Sequence, residues 1–116
     1  MSQFLLLLHE RPEEFATISP GEMQQVIEKY KAWRERLAAD HKLVDGKKLT
    51  EDAGRVLRPA ESRPLVTDGP YSETKEVIGG FFVLEAPDYD TACELASDCP
   101  HLDFGGSIEV RQIDAV

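Results

Sequence analysis

The chain has few cysteines, few basic residues and no long hydrophobic run, and each shortage excludes a class of protein. Its two cysteines, Cys93 and Cys99, are six positions apart on one predicted helix, about 9 Å along the axis and beyond disulfide reach. Free thiols suit a reducing compartment, so we expect a cytoplasmic protein. No stretch approaches the ~20 apolar residues of a membrane span. The short run Phe4–Leu8 lacks the basic start and the cleavage site of a signal peptide.

Charge and residue spacing exclude further classes. The chain has 22 acidic and 13 basic residues, which gives a net charge of −9. A surface with that balance repels the phosphate backbone, so we expect no nucleic-acid partner. His9, His41, His101 and the nearby acids lack the spacing of metal ligands, which predicts no metal site. No motif indicates a cofactor, and we expect none.

The length of 116 residues favours one domain, and its first half has the pattern of strand, helix and strand. The apolar run Gln3–Leu8 is typical of a central buried strand. The capping box Ser19–Glu22 predicts a helix that runs to about Ala39. The apolar stripe of that helix has spacings of three or four residues: Met23, Val26, Ile27, Tyr30, Trp33 and Leu37. Lys42–Leu49 is a predicted strand, interrupted at Asp45–Gly46.

The second half is organised around one apolar strand. Gly79–Gly80 opens the run Phe81–Leu84, whose bulky side chains alternate between the two faces of a strand. Asp88 is the predicted N-cap of the helix that follows. Along one side this helix carries Ala92, Cys93, Ala96 and Cys99. The alternating segment Ser107–Gln112 predicts a last strand with one solvated face.

A hairpin is predicted between the two halves. Arg55–Arg58 and Pro64–Thr67 have the pattern of its arms, and Pro59 and Pro64 lack the N–H donor that an inner strand needs, which favours a sheet edge. The whole order predicts an α+β, ferredoxin-like βαββαβ fold with an inserted edge hairpin. Right-handed crossovers place both helices on one face of the sheet.

The other face of that sheet would be apolar and uncovered. Phe4–Leu8 and Phe81–Leu84 contribute large side chains to both faces. A bare apolar face of several hundred Å2, roughly, is rare in monomers. We therefore expect a homodimer whose two sheets face each other.

Several blocks of this sequence resemble the DGPF subfamily of the YCII-related proteins. They are Asp68–Tyr71 (DGPY), Glu73–Glu76 (ETKE), Gly79–Phe81 (GGF) and the final Ser107–Ile113. The opening strand and helix are similar as well, so the resemblance covers nearly the whole chain. It implies a dimeric α/β barrel of ferredoxin-like units. The family is largely of unknown function. Some relatives have been proposed to be enzymes with a His–Asp pair, and DGPF members are often associated with extracytoplasmic-function sigma factors, which makes a sigma factor a candidate partner.

The proposed His–Asp pair is missing from this chain. By the resemblance, the family histidine on the first helix corresponds to Tyr30, and the aspartate after the second helix corresponds to Cys99. Asp98 is adjacent, but on a helix it would point elsewhere. The reaction that the pair suggests is therefore not expected from these positions, and other chemistry in the same cavity stays open.

Five residues are candidates for a functional site. His9 ends the first strand and could act as a general base, although a lone strand-end histidine is more often without a role. Asp68 could hold a cationic group or position Tyr71, but an Asp before Gly-Pro more often bonds its own turn. Tyr71 and Lys75 could offer a donor and a positive charge to an anionic ligand, or lie on a solvated loop. Tyr30 could line a small cavity under the first helix.

Two further groups carry weaker signals. His101 and Asp103 lie two residues apart after the second helix and form no motif. Cys99 is near a helix end, and because thiolates are stabilised at helix N-termini we do not expect an activated thiol there.

Two functions follow from these patterns. The first is a small-molecule site, catalytic or not, between sheet and helix, with His9, Tyr30, Asp68 and Tyr71 near one another. The alternative is a non-catalytic regulatory or interaction module associated with a sigma factor, which the missing pair and the charged segment Glu73–Glu76 favour. A cofactor-free monooxygenase would rest on fold analogy alone.

Overall fold

The computed structural model describes residues 1–11, 13, 17–50, 52, 54–69 and 76–115. The elements within these ranges follow one another in the order that the sequence predicts. The elements are β1 (Ser2–Glu10), α1 (Pro20–Ala39), β2 (Leu43–Lys48), β3 (Arg55–Arg58), β4 (Leu65–Asp68), β5 (Val77–Ala86), α2 (Tyr89–Ser97), a 3₁₀ helix (Pro100–Phe104) and β6 (Ser107–Gln112).

Both helices begin at the predicted N-caps. The Ser19 hydroxyl accepts a hydrogen bond from the Glu22 backbone N–H at 3.2 Å and donates one to the Glu22 carboxylate at 3.2 Å. The Asp88 carboxylate accepts from the Thr91 backbone N–H at 2.8 Å, and this bond lowers the pKa of Asp88. Each cap satisfies a backbone donor that has no partner inside the helix.

The second helix is shorter than its apolar pattern predicts. It ends at Ser97, so Cys99 lies beyond it as the residue before the 3₁₀ helix. Both cysteines are free thiols as expected, but only Cys99 is buried, whereas Cys93 is exposed. The buried side of this helix is formed by Ala92 and Ala96.

The main sheet has four antiparallel strands in the order β2-β5-β1-β6. Its central pair joins Phe4 to Leu84 and Leu6 to Phe82 in direct register. The first and last strands of each half are thus separated in space by a strand of the other half. This mixed α+β topology is compatible with the predicted ferredoxin-like arrangement.

Two details of the strands differ from the sequence-based expectation. The segments β3 and β4 pair with each other as a separate two-stranded sheet, so in the described part of the chain they are not an edge of the main sheet. Strand β2 also runs through Asp45–Gly46, and the irregularity lies between Leu43 and Asp45. Gly46 is buried against the Phe82 ring, and a side chain at this position would collide with that ring.

The core lies between the sheet and the two helices. Trp33 is 2% exposed and meets the Phe82 ring edge to face, with ring centroids 4.9 Å apart. Its indole N–H donates to the Leu95 carbonyl at 3.1 Å, which ties α1 to α2. In the apolar stripe of α1, Ile27 is 52% exposed because it lies beside an open cavity.

The opposite face of the sheet carries apolar side chains that no described helix covers. Since alternate residues point to opposite faces, Leu5, Leu7, Phe81 and Val83 lie on this side, and each is half-buried.

The described part of the chain contains no helix long and apolar enough to cross a membrane.

Candidate functional site

A cavity of about 830 Å3 lies between α1 and strands β2 and β5. One wall is formed by residues of α1 other than Trp33 and Leu37, which pack into the core. The floor is formed by β1 and β5. Its apolar lining consists of Leu8, Met23, Val26, Ile27, Ala38, Leu43, Val77 and Phe82. The size and the apolar lining are those of a small-molecule site.

Tyr30 and His101 meet in the lining of this cavity. The Tyr30 hydroxyl lies 3.0 Å from His101 Nδ1, and His101 Nε2 lies 2.8 Å from the His9 carbonyl oxygen. A carbonyl oxygen can only accept, so Nε2 carries a proton, and in the neutral imidazole Nδ1 then accepts from the Tyr30 hydroxyl. His101 is 3% exposed, and these bonds fix both its tautomer and its ring orientation.

The segment after α2 places His101 at that point. Pro100 begins the 3₁₀ helix directly after Cys99, and Gly105 ends it at φ 83°, a backbone angle that favours glycine. A side chain at Gly106 would collide with the His101 ring. The two glycines therefore allow the chain to turn back into β6 while the imidazole lies beneath α1.

The Tyr30 hydroxyl is held in its neutral form. Burial raises its pKa, and the nearby Cys99, Glu10 and Asp103 raise it further because negative charge would repel a phenolate. Tyr30 is therefore a hydrogen-bond donor and acceptor in this cavity, and it does not act as an anion.

Glu10 brings a carboxylate to the same region. The β1–β5 register shifts between Leu8 and His9, so Leu8 pairs with Gly80 and His9 pairs with Ile78. This irregularity leaves Gly79 between the two pairs, and a side chain there would collide with the Glu10 carboxylate. Because Gly79 has no side chain, the floor of the cavity has room for the Glu10 carboxylate near Tyr30.

Farther along, the described lining contains the basic residues Lys31, Arg34, Lys47 and Lys48. Lys31 and Arg34 project from α1, and Lys48 pairs with Gly80 on the helix-facing side of the sheet. Glu35 and Glu10 are the acidic lining residues. The Arg34 guanidinium lies over the Phe82 ring, 5.7 Å from its centroid.

The structure does not bring the predicted site residues together. The His9 side chain lies on the uncovered face of the sheet, where Nε2 is 3.1 Å from Glu109, because it follows Leu8 on a strand and so points the opposite way. Asp68 is on the separate hairpin, exposed and 3.3 Å from Arg55. Neither lines the cavity as described. Tyr71 and Lys75 lie outside the described residues.

Cys99, which the resemblance places at the family aspartate, carries no activated thiol. Burial is the main cause that raises its pKa to about 11, so it stays protonated near neutrality. Within the described ranges, no three His, Cys, Asp or Glu side chains come close enough to hold a metal ion.

Sequence reasoning missed Glu10 as a site residue, and it considered His101 only as a weak pair with Asp103. His101 is 71 positions from Tyr30, and their contact depends on the topology rather than on a local motif. Glu10 did have a signal, because strand alternation puts it on the same face as Leu6 and Leu8, which are buried in the structure.

Three comparisons relate the chain to known proteins. An uncharacterized protein of Rhizobium meliloti (strain 1021) is 36% identical over 62 residues, 53% of this chain and 50% of that protein, so the chain spans about half the length of this curated relative. The solved structure of 5-chloro-2-hydroxyhydroquinone dehydrochlorinase (TftG) from Burkholderia phenoliruptrix AC1100, in complex with 2,5-dihydroxybenzoquinone, is similar with a TM-score of 0.50 and 20% identity. That alignment covers 97% of this chain and 93% of TftG, and it shows a shared fold. The YCII-related domain matches residues 2–115, and the chain therefore belongs to the YCII-related family.

Proposed function

We propose that this YCII-related protein, of the DGPF subfamily, binds a small molecule in the cavity between α1 and the sheet. The observation that carries the proposal is the buried Tyr30–His101 pair in the lining of an 830 Å3 cavity. A polar pair held in one geometry inside an apolar pocket is what orients a ligand. A protein of similar fold, TftG, was solved with a small molecule bound, which supports the idea that such a fold accommodates ligands.

The polar groups define what a ligand would meet. Tyr30 donates its proton to His101, so its oxygen offers lone pairs to a donor group of the ligand. Glu10 offers a second acceptor nearby. If the site is catalytic, its chemistry is proton transfer, with Glu10 as base and the Tyr30–His101 pair as relay. This would replace the family His–Asp pair with other residues in the same cavity.

The test is a thermal-shift screen of anionic, neutral and cationic metabolites. A ligand present at 100 times its Kd stabilises the fold by about 2.7 kcal/mol, which raises Tm by on the order of 10 °C in a domain of this size. The variant Ile27→Trp fills the mouth of the cavity at an exposed position, and Leu57→Trp places the same side chain on β3, outside the cavity.

The expected result is a shift that survives Leu57→Trp and disappears in Ile27→Trp. The proposal fails if no compound class shifts Tm, or if both tryptophan variants reduce the shift equally. Catalysis is tested separately on any ligand that the screen finds. If the wild type converts that ligand and Glu10→Gln does not, Glu10 is the catalytic base.

We propose further that the uncovered face of the sheet joins two copies in the cytoplasm as a dimeric α/β barrel. Half-buried Leu5, Leu7, Phe81 and Val83 support this, since a second copy would remove them from water. Light scattering should give twice the chain mass at micromolar concentration. Leu7→Glu should produce monomers, whereas Leu57→Glu, on the separate hairpin, should not. A wild-type monomer contradicts the dimer and leaves the cavity proposal standing.

The alternative function, a sigma-factor-associated module, depends on the segment Glu73–Glu76, of which the structure describes Glu76. Its carboxylate lies 3.9 Å from the Arg11 guanidinium in an exposed pair, and such pairs contribute little energy. The alternative would replace ligand binding if no compound shifts Tm and a sigma factor co-purifies with the wild type, with loss of that partner when Glu73, Lys75 and Glu76 are reversed in charge.

A further inference from the structure

We infer that the ligand of this cavity is a small organic anion with an apolar body, and that Arg34 binds its charged group. The inference rests on the proposed function, because it names the ligand class of the same site. It is carried by four observations: the charge of the lining, the fixed position of Arg34, its lack of an acidic partner among the described residues, and its separation from Glu10.

The charge of the lining differs from the charge of the chain. The whole protein has a net charge of −9, with 22 acidic and 13 basic residues. Among the described residues around the cavity, the side chains of Lys31, Arg34 and Lys48 outnumber those of Glu10 and Glu35. Lys47 reaches the lining as well, but it pairs with Phe81, so its side chain is assigned to the other face of the sheet. A locally cationic pocket on an acidic protein favours anions and raises their local concentration.

Arg34 is positioned before any ligand arrives. Its guanidinium lies 5.7 Å from the centroid of the Phe82 ring. That ring is held in turn by Trp33, whose ring centroid is 4.9 Å away at a nearly perpendicular angle, and by the bare backbone of Gly46. Stacking on an aromatic face orients the planar guanidinium and leaves its N–H edges available, so less side-chain entropy is lost when a ligand binds.

Arg34 has no carboxylate within ion-pair distance among the described residues, and the same is true of Lys31 and Lys48. The arginines at positions 11, 55 and 111, by contrast, each lie within 4.0 Å of a carboxylate. A guanidinium fork that is oriented and lacks an acidic partner matches the two oxygens of a carboxylate or a phosphate.

The two ends of the cavity have opposite preferences. Phe82, which lies beneath Arg34, pairs with Leu6 on β1, and Glu10 lies four residues farther along the same strand. The backbone positions of Leu6 and Glu10 are therefore about 13 Å apart along β1. An anion is repelled at the Glu10 end and attracted at the Arg34 end. The ligand therefore places its acidic group beside Arg34 and a hydrogen-bond donor beside Glu10 and Tyr30, with its apolar body between them.

The test uses three aromatic acids of increasing length, 4-hydroxybenzoate, 4-hydroxyphenylacetate and 4-hydroxycinnamate, each paired with its primary amide. Phenyl phosphate and inorganic phosphate distinguish an anion with an apolar body from an anion alone. Kd values are measured by calorimetry on the wild type, Arg34→Gln, Arg34→Lys and Arg36→Gln. Arg36 is an exposed control on the same helix, outside the cavity lining.

At least one acid should bind about 10- to 100-fold more tightly than its amide, as a charge-assisted bidentate contact predicts. Arg34→Gln should abolish this preference, Arg34→Lys should keep part of it because the charge remains without the fork, and Arg36→Gln should leave it unchanged. Inorganic phosphate alone should bind more weakly than phenyl phosphate.

Three results would overturn the inference. They are equal binding of acids and amides, an equal effect of Arg34→Gln and Arg36→Gln, and binding of inorganic phosphate as tight as that of the organic anions. If neutral or cationic compounds occupy the cavity in the thermal-shift screen while these acids do not, the ligand class is wrong and the binding proposal stands. If no compound binds at all, both fail together.

Discussion

Replacing Tyr30 by phenylalanine removes one oxygen atom and tests whether the Tyr30–His101 pair is a real part of the fold. The aromatic ring keeps its place on α1, while the hydroxyl that lies 3.0 Å from His101 Nδ1 is lost. His101 keeps its bond to the His9 carbonyl at 2.8 Å. The change is therefore confined to a single hydrogen bond between groups that are 71 positions apart in the chain.

The size of the effect follows from burial. A typical intramolecular hydrogen bond contributes about 1 kcal/mol net, and the loss approaches 3 kcal/mol where a buried partner is desolvated. His101 is 3% exposed and Tyr30 is half-buried, so we expect Tyr30→Phe to lower the free energy of unfolding by about 1–2 kcal/mol. In a domain of this size that corresponds to a fall in Tm of roughly 4–8 °C.

Urea denaturation and calorimetry measure this loss, and Tyr89→Phe is the matched control. The Tyr89 hydroxyl accepts from the Gln112 backbone N–H at 2.7 Å, but the side chain is 45% exposed. Water can replace that bond, so the control should cost less than about 0.5 kcal/mol. Combining Tyr30→Phe with His101→Gln in a double-mutant cycle should give a coupling energy of about 1 kcal/mol.

The reasoning is refuted if the two phenylalanine variants cost the same, or if the coupling between Tyr30 and His101 is zero within error. In either case the hydroxyl would be solvated in solution, and the polar part of the cavity would have to be assigned to other groups.

Three further predictions concern groups outside the cavity wall. A hydrogen bond from His9 is the main cause that holds the pKa of Glu109 below 4.5. Because the folded pKa is the lower one, its stabilising contribution is present above pH 4.5 and is lost as the pH falls through the folded pKa, so Glu109→Gln should flatten the fall of Tm with pH in that acid range. A thiol reagent such as DTNB should modify exposed Cys93 quickly and buried Cys99, whose pKa is raised to about 11, only after unfolding; two fast thiols would contradict the burial. Asp88→Ala removes the N-cap bond of α2 and should cost about 1 kcal/mol in urea denaturation, and no loss would mean that the cap is not formed.

Local chemistry made much of the fold predictable. The start of α1 follows from Ser19 and Glu22, and the start of α2 follows from Asp88, because a capping side chain acts within three residues of its own position. The strand order follows from the alternation of elements and from the handedness of the crossovers. The predicted interruption of β2 at Asp45–Gly46 was wrong because that glycine serves the packing of Phe82, which is distant in sequence.

The candidate site was predicted only in part. Tyr30 lies in the cavity lining, on the apolar face of α1 that the helical period indicates. His9 was predicted near Tyr30, but the period of two along a strand puts its side chain on the face opposite to Leu8, which lines the cavity. The contact of His101 with Tyr30 could not be derived from either segment, because it depends on how the turn at Gly105 and Gly106 returns the chain beneath α1.

The most direct test of the cavity is an NMR titration of 15N-labelled protein with 4-hydroxyphenylacetate and its amide. If the cavity is the binding site, the amide signals of Tyr30, Gly79 and Gly80 and the guanidinium signal of Arg34 should move together with one Kd, and more strongly with the acid than with the amide. Shifts confined to the uncovered face around Leu7, or no shifts with either compound, would contradict the account.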